Sequence, residues 1–220
     1  ARNNNAAAAA ALIDAGAPLE AAGFEGRTPL FQAAFYGSSE ALGVLIEKGA
    51  NVEASISFVV EPPFQVVRTW GRSPLHAAAA EGDGGFRSDN RPDHLACARQ
   101  LIEAGATIDA REGMRSDTQV AATHHLEVGE VIPLNYARTP AMAHLLIDSG
   151  ANVAGAGDWH TPFRSAIKNH DRDVAATIVN AGYEPSDREW EFFDEQKHET
   201  RDAFAMRCGR LKAERLEKRL

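Results

Sequence analysis

The stretch GRSPLHAAAAEG, residues 71–82, is an imperfect copy of GRTPLFQAAFYG, residues 26–37, and the two begin 45 residues apart. In each, a hydroxyl residue precedes a proline and a leucine, and an alanine-rich run follows. Proline at the first helical position gives up only an N–H that a helix start leaves unused, and the hydroxyl before it can cap the other free donors. Both stretches therefore predict a helix that begins at the proline. Comparable starts stand at Ile132-Pro133-Leu134 and Thr161-Pro162-Phe163.

A second phrase recurs five times: ALIDAGAPLEA (11–21), VLIEKGANVEA (44–54), QLIEAGATIDA (100–110), LLIDSGANVAG (145–155) and TIVNAGYEPSD (177–187). Apolar residues run into a glycine, which reads as a helix closed by a C-terminal glycine cap at Gly16, Gly49, Gly105, Gly150 and Gly182. Each unit is thus a helix pair. Gly16 to Gly49 spans 33 residues and Gly150 to Gly182 spans 32.

A Thr-Pro-Leu-His type of start followed by Ala-Ala, with a period near 33, closely resembles the ankyrin repeat. The resemblance covers about residues 7–185 and implies an all-α repeat solenoid of about five helix pairs, with projecting β-hairpin fingers. Only the second start keeps the family histidine, His76, read as structural; Phe31, Asn135 and Arg164 occupy the equivalent places. The first unit shows only its second helix. In the fourth, the turn after Tyr136 is about three residues short and Pro140 restarts a helix. Residues 1–185 are read as the array and 186–220 as C-terminal capping helices, since a terminal unit exposes an apolar face and Trp190, Phe192 and Phe193 can cover it.

The period stretches to 56 residues between Gly49 and Gly105 and to 45 between Gly105 and Gly150. Stacked neighbours use both broad faces of a unit, so inserted chain must project from the stack. Residues 55–70, SISFVVEPPFQVVRTW, lie where a finger belongs and predict a long β-hairpin, with strands at 56–60 and 64–70 broken by Glu61-Pro62-Pro63. A lone hairpin is marginally stable in water, so this one needs cover from a partner or from a neighbouring finger. Residues 111–130 fill the next finger slot, with strand character at 118–131 that could pair with the first. Residues 84–94 predict a polar loop between two helices.

Composition sets the function classes. A net charge of -8 argues against nucleic acid or anionic lipid and favours a neutral or basic protein partner. No apolar run approaches membrane-spanning length. The segment 207–220 carries six basic and two acidic residues, a separate basic helix that caps the array or docks on an acidic surface. Cys97 and Cys208 are too few for a disulfide framework or a zinc cluster. His124 and His125 are adjacent and diverge on a strand or helix, and no catalytic or phosphate-binding motif stands in its required context. No cofactor, metal or small-molecule substrate is expected. The chain opens without methionine, so the compartment stays open: the cytoplasm is favoured, the periplasm or secretion if a signal peptide preceded Ala1.

Arrays of this family usually bind through their fingers and the inner face of each first helix. The resemblance accordingly implies a partner-binding set of Arg27, Arg72 and His160 on the fingers and Gln32, Tyr36, Tyr136, Ser165 and Asn169 on the helices. Phe58, Phe64, Trp70 and Trp159 join them as aromatic anchors of the kind that dominate interfaces. Glu20, Glu53 and Asp109 form an acidic row at the finger roots that could meet a basic partner. Asp14, Glu47, Glu103 and Asp148 form a second row, read as a solvated outer edge. The expected function is a non-catalytic module that captures a protein and regulates or neutralises it, for example an immunity protein for a bacterial toxin. The alternative is a host-directed effector or enzyme in which the repeats only recruit a substrate.

Overall fold

The structure is a computed structural model that describes residues 4–23, 26–60, 66–81, 93–117, 129–156, 160–196 and 199–217. Among these, three first turns follow from a hydroxyl cap. Thr28, Ser73 and Thr161 accept from the backbone N–H three residues on, ahead of α2 (Pro29–Phe35), α4 (Pro74–Ala79) and α7 (Pro162–Lys168). In the fourth unit Ile132 has no hydroxyl to offer, and Thr139 is held extended before Pro140, where α6 (Pro140–Asp148) begins. With neither a cap nor room, the inner element there is the single 3-10 turn Pro133–Tyr136.

The second helices are α1 (Ala6–Asp14), α3 (Ser39–Glu47), α5 (His94–Glu103), α6 and α8 (Arg172–Asn180). All five end alike. Gly16, Gly49, Gly105, Gly150 and Gly182 have φ of 92, 89, 90, 100 and 99°, and the following residue donates back to the carbonyl five positions earlier, as Ala50 does to Leu45 at 2.9 Å.

The helices form two rows. The inner row runs α2, α4, the 3-10 turn, α7 and α9 (Asp187–Glu195), and the outer row runs α1, α3, α5, α6, α8 and α10 (Arg201–Glu217), each element packing on the next. One core lies between the rows, built from fully buried Leu30, Leu42, Leu75, Leu101, Leu134, Leu146, Phe163 and Ile178, with Cys97 among them. The last two helices continue the rows and cover Phe163, whose ring meets Trp190 and Phe204 at 5.7 and 6.2 Å. Phe193 is fully buried there, while Trp190 and Phe192 are partly buried.

The fingers join. Strands β1 (Ile56–Val60), β2 (Val66–Arg72), β3 (Glu112–Asp117) and β4 (Gly129–Val131) form one antiparallel sheet in chain order. The central pairing sets Trp70 opposite Gly113 and Thr69 opposite Met114. The strand of the second finger that pairs with the first is thus β3, at 112–117, ahead of the strand character expected at 118–131. Of that stretch 129–131 forms the outer strand β4 and 118–128 lie outside the described residues, and register with β2 is set at the finger root where Glu112 and Thr69 are buried. Gly71 has φ 80°, and a Cβ there would stand 2.5 Å from the Arg111 carbonyl oxygen, so the two fingers meet by direct backbone approach. The expected turn Glu61-Pro62-Pro63, the loop 84–92 and His124 and His125 lie outside the described residues.

Candidate functional site

The inner row and the finger roots supply the site, and three cation-aromatic contacts shape it. The Arg27 guanidinium lies 4.9 Å from the Phe35 ring, Arg72 lies 5.0 Å from Tyr136, and Arg164 lies 4.3 Å from Phe192. A guanidinium stacked this way keeps its N–H rim for polar partners.

Five of the expected residues, Arg72, Tyr136, His160, Ser165 and Asn169, line one groove of about 740 Å³ between the 3-10 turn, α7 and α9. Arg138, Arg164, Lys168 and Gln196 also line it, and sequence reasoning passed over them. The signal was present: on α7, Arg164 and Lys168 are one turn apart beside the pair Ser165 and Asn169, so assigning the second pair to this face implies the first.

Beneath the groove lies a buried polar set. Glu112 is 1 % exposed; it accepts from the Tyr136 hydroxyl at 2.9 Å, with the Arg72 Nε at 3.8 Å. Burial pushes its carboxyl above the ordinary range against the pull of Arg72 and Tyr136. The Tyr136 hydroxyl is raised, mainly by the same burial and then by Glu112. Asn135 donates to the His160 carbonyl and to the Ser165 hydroxyl at 2.5 and 3.2 Å, tying the third finger root to α7.

The remaining expected residues stand elsewhere. Arg27 and Gln32 line a separate, mostly apolar cavity of about 320 Å³ against α1, and Tyr36 packs edge-on to Phe35 at 5.1 Å. Trp70 is 43 % exposed on the finger sheet, its indole lying over the backbone of Gly113. Phe58 is described by its backbone, paired with Thr69, while Phe64 and Trp159 lie outside the described residues.

The acidic finger-root row has an internal task. Glu20 accepts from the Asn51 N–H at 2.7 Å, Glu53 from Thr107 at 2.5 Å and Asp109 from Asn152 at 3.0 Å. Each carboxylate ties its unit to the next, whatever length of finger intervenes. In the outer row, Asp14 pairs with Lys48 at 2.6 Å.

Among the described residues no three His, Cys, Asp or Glu side chains converge to hold a metal, and no helix is long and apolar enough to cross a membrane. Both cysteines are free; burial holds the Cys97 thiol up to about 12, far from thiolate chemistry.

The model of the family described as ankyrin repeats (3 copies) matches residues 1–112. The chain belongs to the ankyrin-repeat family. The match ends at the root of the second finger, and the rows continue beyond it through the 3-10 turn, α6, α7 and α8. No curated protein matches the chain. Ankyrin repeats are, in general, protein-interaction modules without catalytic chemistry of their own.

Proposed function

We propose that this ankyrin-repeat protein captures one partner protein on its inner face, between the finger sheet and α9, without transforming it chemically. The observation that carries the reading is the groove of about 740 Å³ in which finger-root, inner-row and capping residues meet. Half-exposed Trp70, two residues along β2 from the groove-lining Arg72, offers the aromatic anchor that interfaces favour. Capture regulates the partner, in the extreme neutralising it as an immunity protein does a toxin, when the segment held is one the partner needs for its own activity.

The test is affinity capture from the source cells with three folded baits: wild type, a Trp70→Ala, Asn169→Tyr double variant that fills the groove without changing its charge, and Glu47→Ala on the exposed outer row. The double variant is expected to lose the principal partner that the other two retain. Equal recovery on all three baits defeats the reading.

A further inference from the structure

The groove carries a charge opposite to that of the chain. Basic residues number 23 and acidic residues 31 overall, yet the described residues lining the groove include Arg72, Arg138, Arg164 and Lys168 and no Asp or Glu. Three carboxylates stand close to that lining. Glu112 is buried beneath Arg72 and Tyr136, Asp171 sits 3.6 Å from Arg138, and Glu81 accepts from the Thr139 hydroxyl at 2.6 Å. Glu112 is buried and Asp171 and Glu81 are half-buried, and all three moderate the field.

From this we infer that the groove takes an extended acidic segment of the partner, its carboxylates meeting Arg164, Lys168, Arg138 and Arg72. The inference rests on the proposed capture at the inner face and names the chemistry of what is captured, replacing the neutral or basic partner expected from net charge alone. Three observations favour it besides charge. Arg72 and Arg164 are each stacked on a ring, which fixes the guanidinium plane and lowers the entropy lost when a carboxylate binds across its rim. The Asn169 amide and the Ser165 hydroxyl lie among the cations, so a peptide backbone threading the groove finds hydrogen-bond partners between its charged side chains. A groove of about 740 Å³ is also far larger than one small anion fills. Nucleic acid fits less well, because a polyphosphate extends past four cations onto a chain of net charge -8.

The experiment is fluorescence anisotropy of the full chain with a labelled eight-residue peptide of alternating Glu and Ser. Gln/Ser and Lys/Ser counterparts and an oligothymidylate of equal charge run alongside. The Glu/Ser peptide is expected to bind at least tenfold more tightly than the others and to weaken as salt rises. Arg164→Gln with Lys168→Gln should reduce its affinity at least tenfold, while Arg99→Gln, exposed on α5 in the outer row, leaves it unchanged. Arg164 packs on the cap, so Lys168→Glu alone, at an exposed position, provides the variant that keeps the fold; it too should lose the peptide. Equal binding of the Glu and Gln peptides, preference for the Lys peptide or the oligonucleotide, or a Lys168→Glu protein that binds like wild type overturns the inference. The capture reading then still stands if the cellular partner is lost with Trp70→Ala, Asn169→Tyr, and falls with it only if that partner is retained.

Discussion

His76 shows at the residue scale how a repeat is locked to its neighbour. Its Nδ1 accepts from the Ser73 N–H at 3.2 Å, which puts the ring proton on Nε2, and that nitrogen donates to the Val131 carbonyl at 3.3 Å. The side chain is fully buried, and burial lowers its pKa to about 4. The unfolded chain, with an ordinary value near 6.5, then binds a proton that the folded chain refuses. Stability from this site is complete above pH 6.5 and is lost as pH falls toward 4, by roughly 3 kcal/mol. Asn135 does the same work one unit later without a titrating ring, taking the Ile132 N–H at 3.0 Å and reaching the His160 carbonyl. His76→Asn is therefore expected to fold and to flatten the pH dependence of urea unfolding between 6.5 and 4; an unchanged slope would place the proton elsewhere. Glu189 is the counterpart at the cap. Burial would raise its carboxyl, but hydrogen bonds from Thr161, Ser186 and Tyr183 outweigh burial and hold it below the usual range. Its stabilisation is present above the ordinary carboxylate pKa and is lost as acid protonates it. Glu189→Ala should cost about 2–3 kcal/mol in denaturant unfolding at pH 7 by leaving those donors unpaired.

At the scale of elements, one contact between the two halves of the finger sheet requires a glycine. A Cβ on Gly113 would come within 2.3 Å of the Trp70 indole, so the ring can lie flat on β3 only because position 113 carries no side chain. Gly113→Val is expected to lift Trp70 and lower amide-exchange protection in β2 and β3 at least tenfold. Global stability should fall by less than about 1 kcal/mol, since the lifted ring is already half exposed. The helix pairs and the first hairpin were legible because their signals are local: a hydroxyl before proline, a glycine after an apolar run, β-branched residues in alternation. The joining of the two fingers was open in the sequence, and β3, EGMRSD, has little strand propensity of its own. It is a strand because β2 lies beside it, a long-range cause that no window of sequence contains. Arg72 was expected at the site, but its grouping with Arg138, Arg164 and Lys168 escaped notice for a similar reason. Arg72, Arg138 and Arg164 are far apart in the chain, and a net charge of -8 averages over the one face where they gather.

The whole molecule is a stack, and its far end is closed by aromatics rather than by another repeat. Phe204 meets Phe163, Trp190 and Phe193 at 6.2, 6.0 and 5.1 Å, and Arg207 on the same helix reaches Asp173 of α8 at 2.5 Å. In a stacked array each unit touches only its neighbours, so damage at one end spreads by weakening the adjacent interface. Phe204→Ala empties a site that is 2 % exposed and is expected to cost about 3–5 kcal/mol at the cap. That loss should fall first on α7, α8 and α9, whose amides exchange faster in hydrogen-exchange measurements while α3 and α5 hold their wild-type protection. Because α7 carries Arg164 and Lys168, the same variant should weaken the acidic peptide before the array as a whole unfolds. Parallel loss of protection from α1 to α10 would mean instead that the stack melts as one cooperative unit, and peptide affinity would then follow global stability.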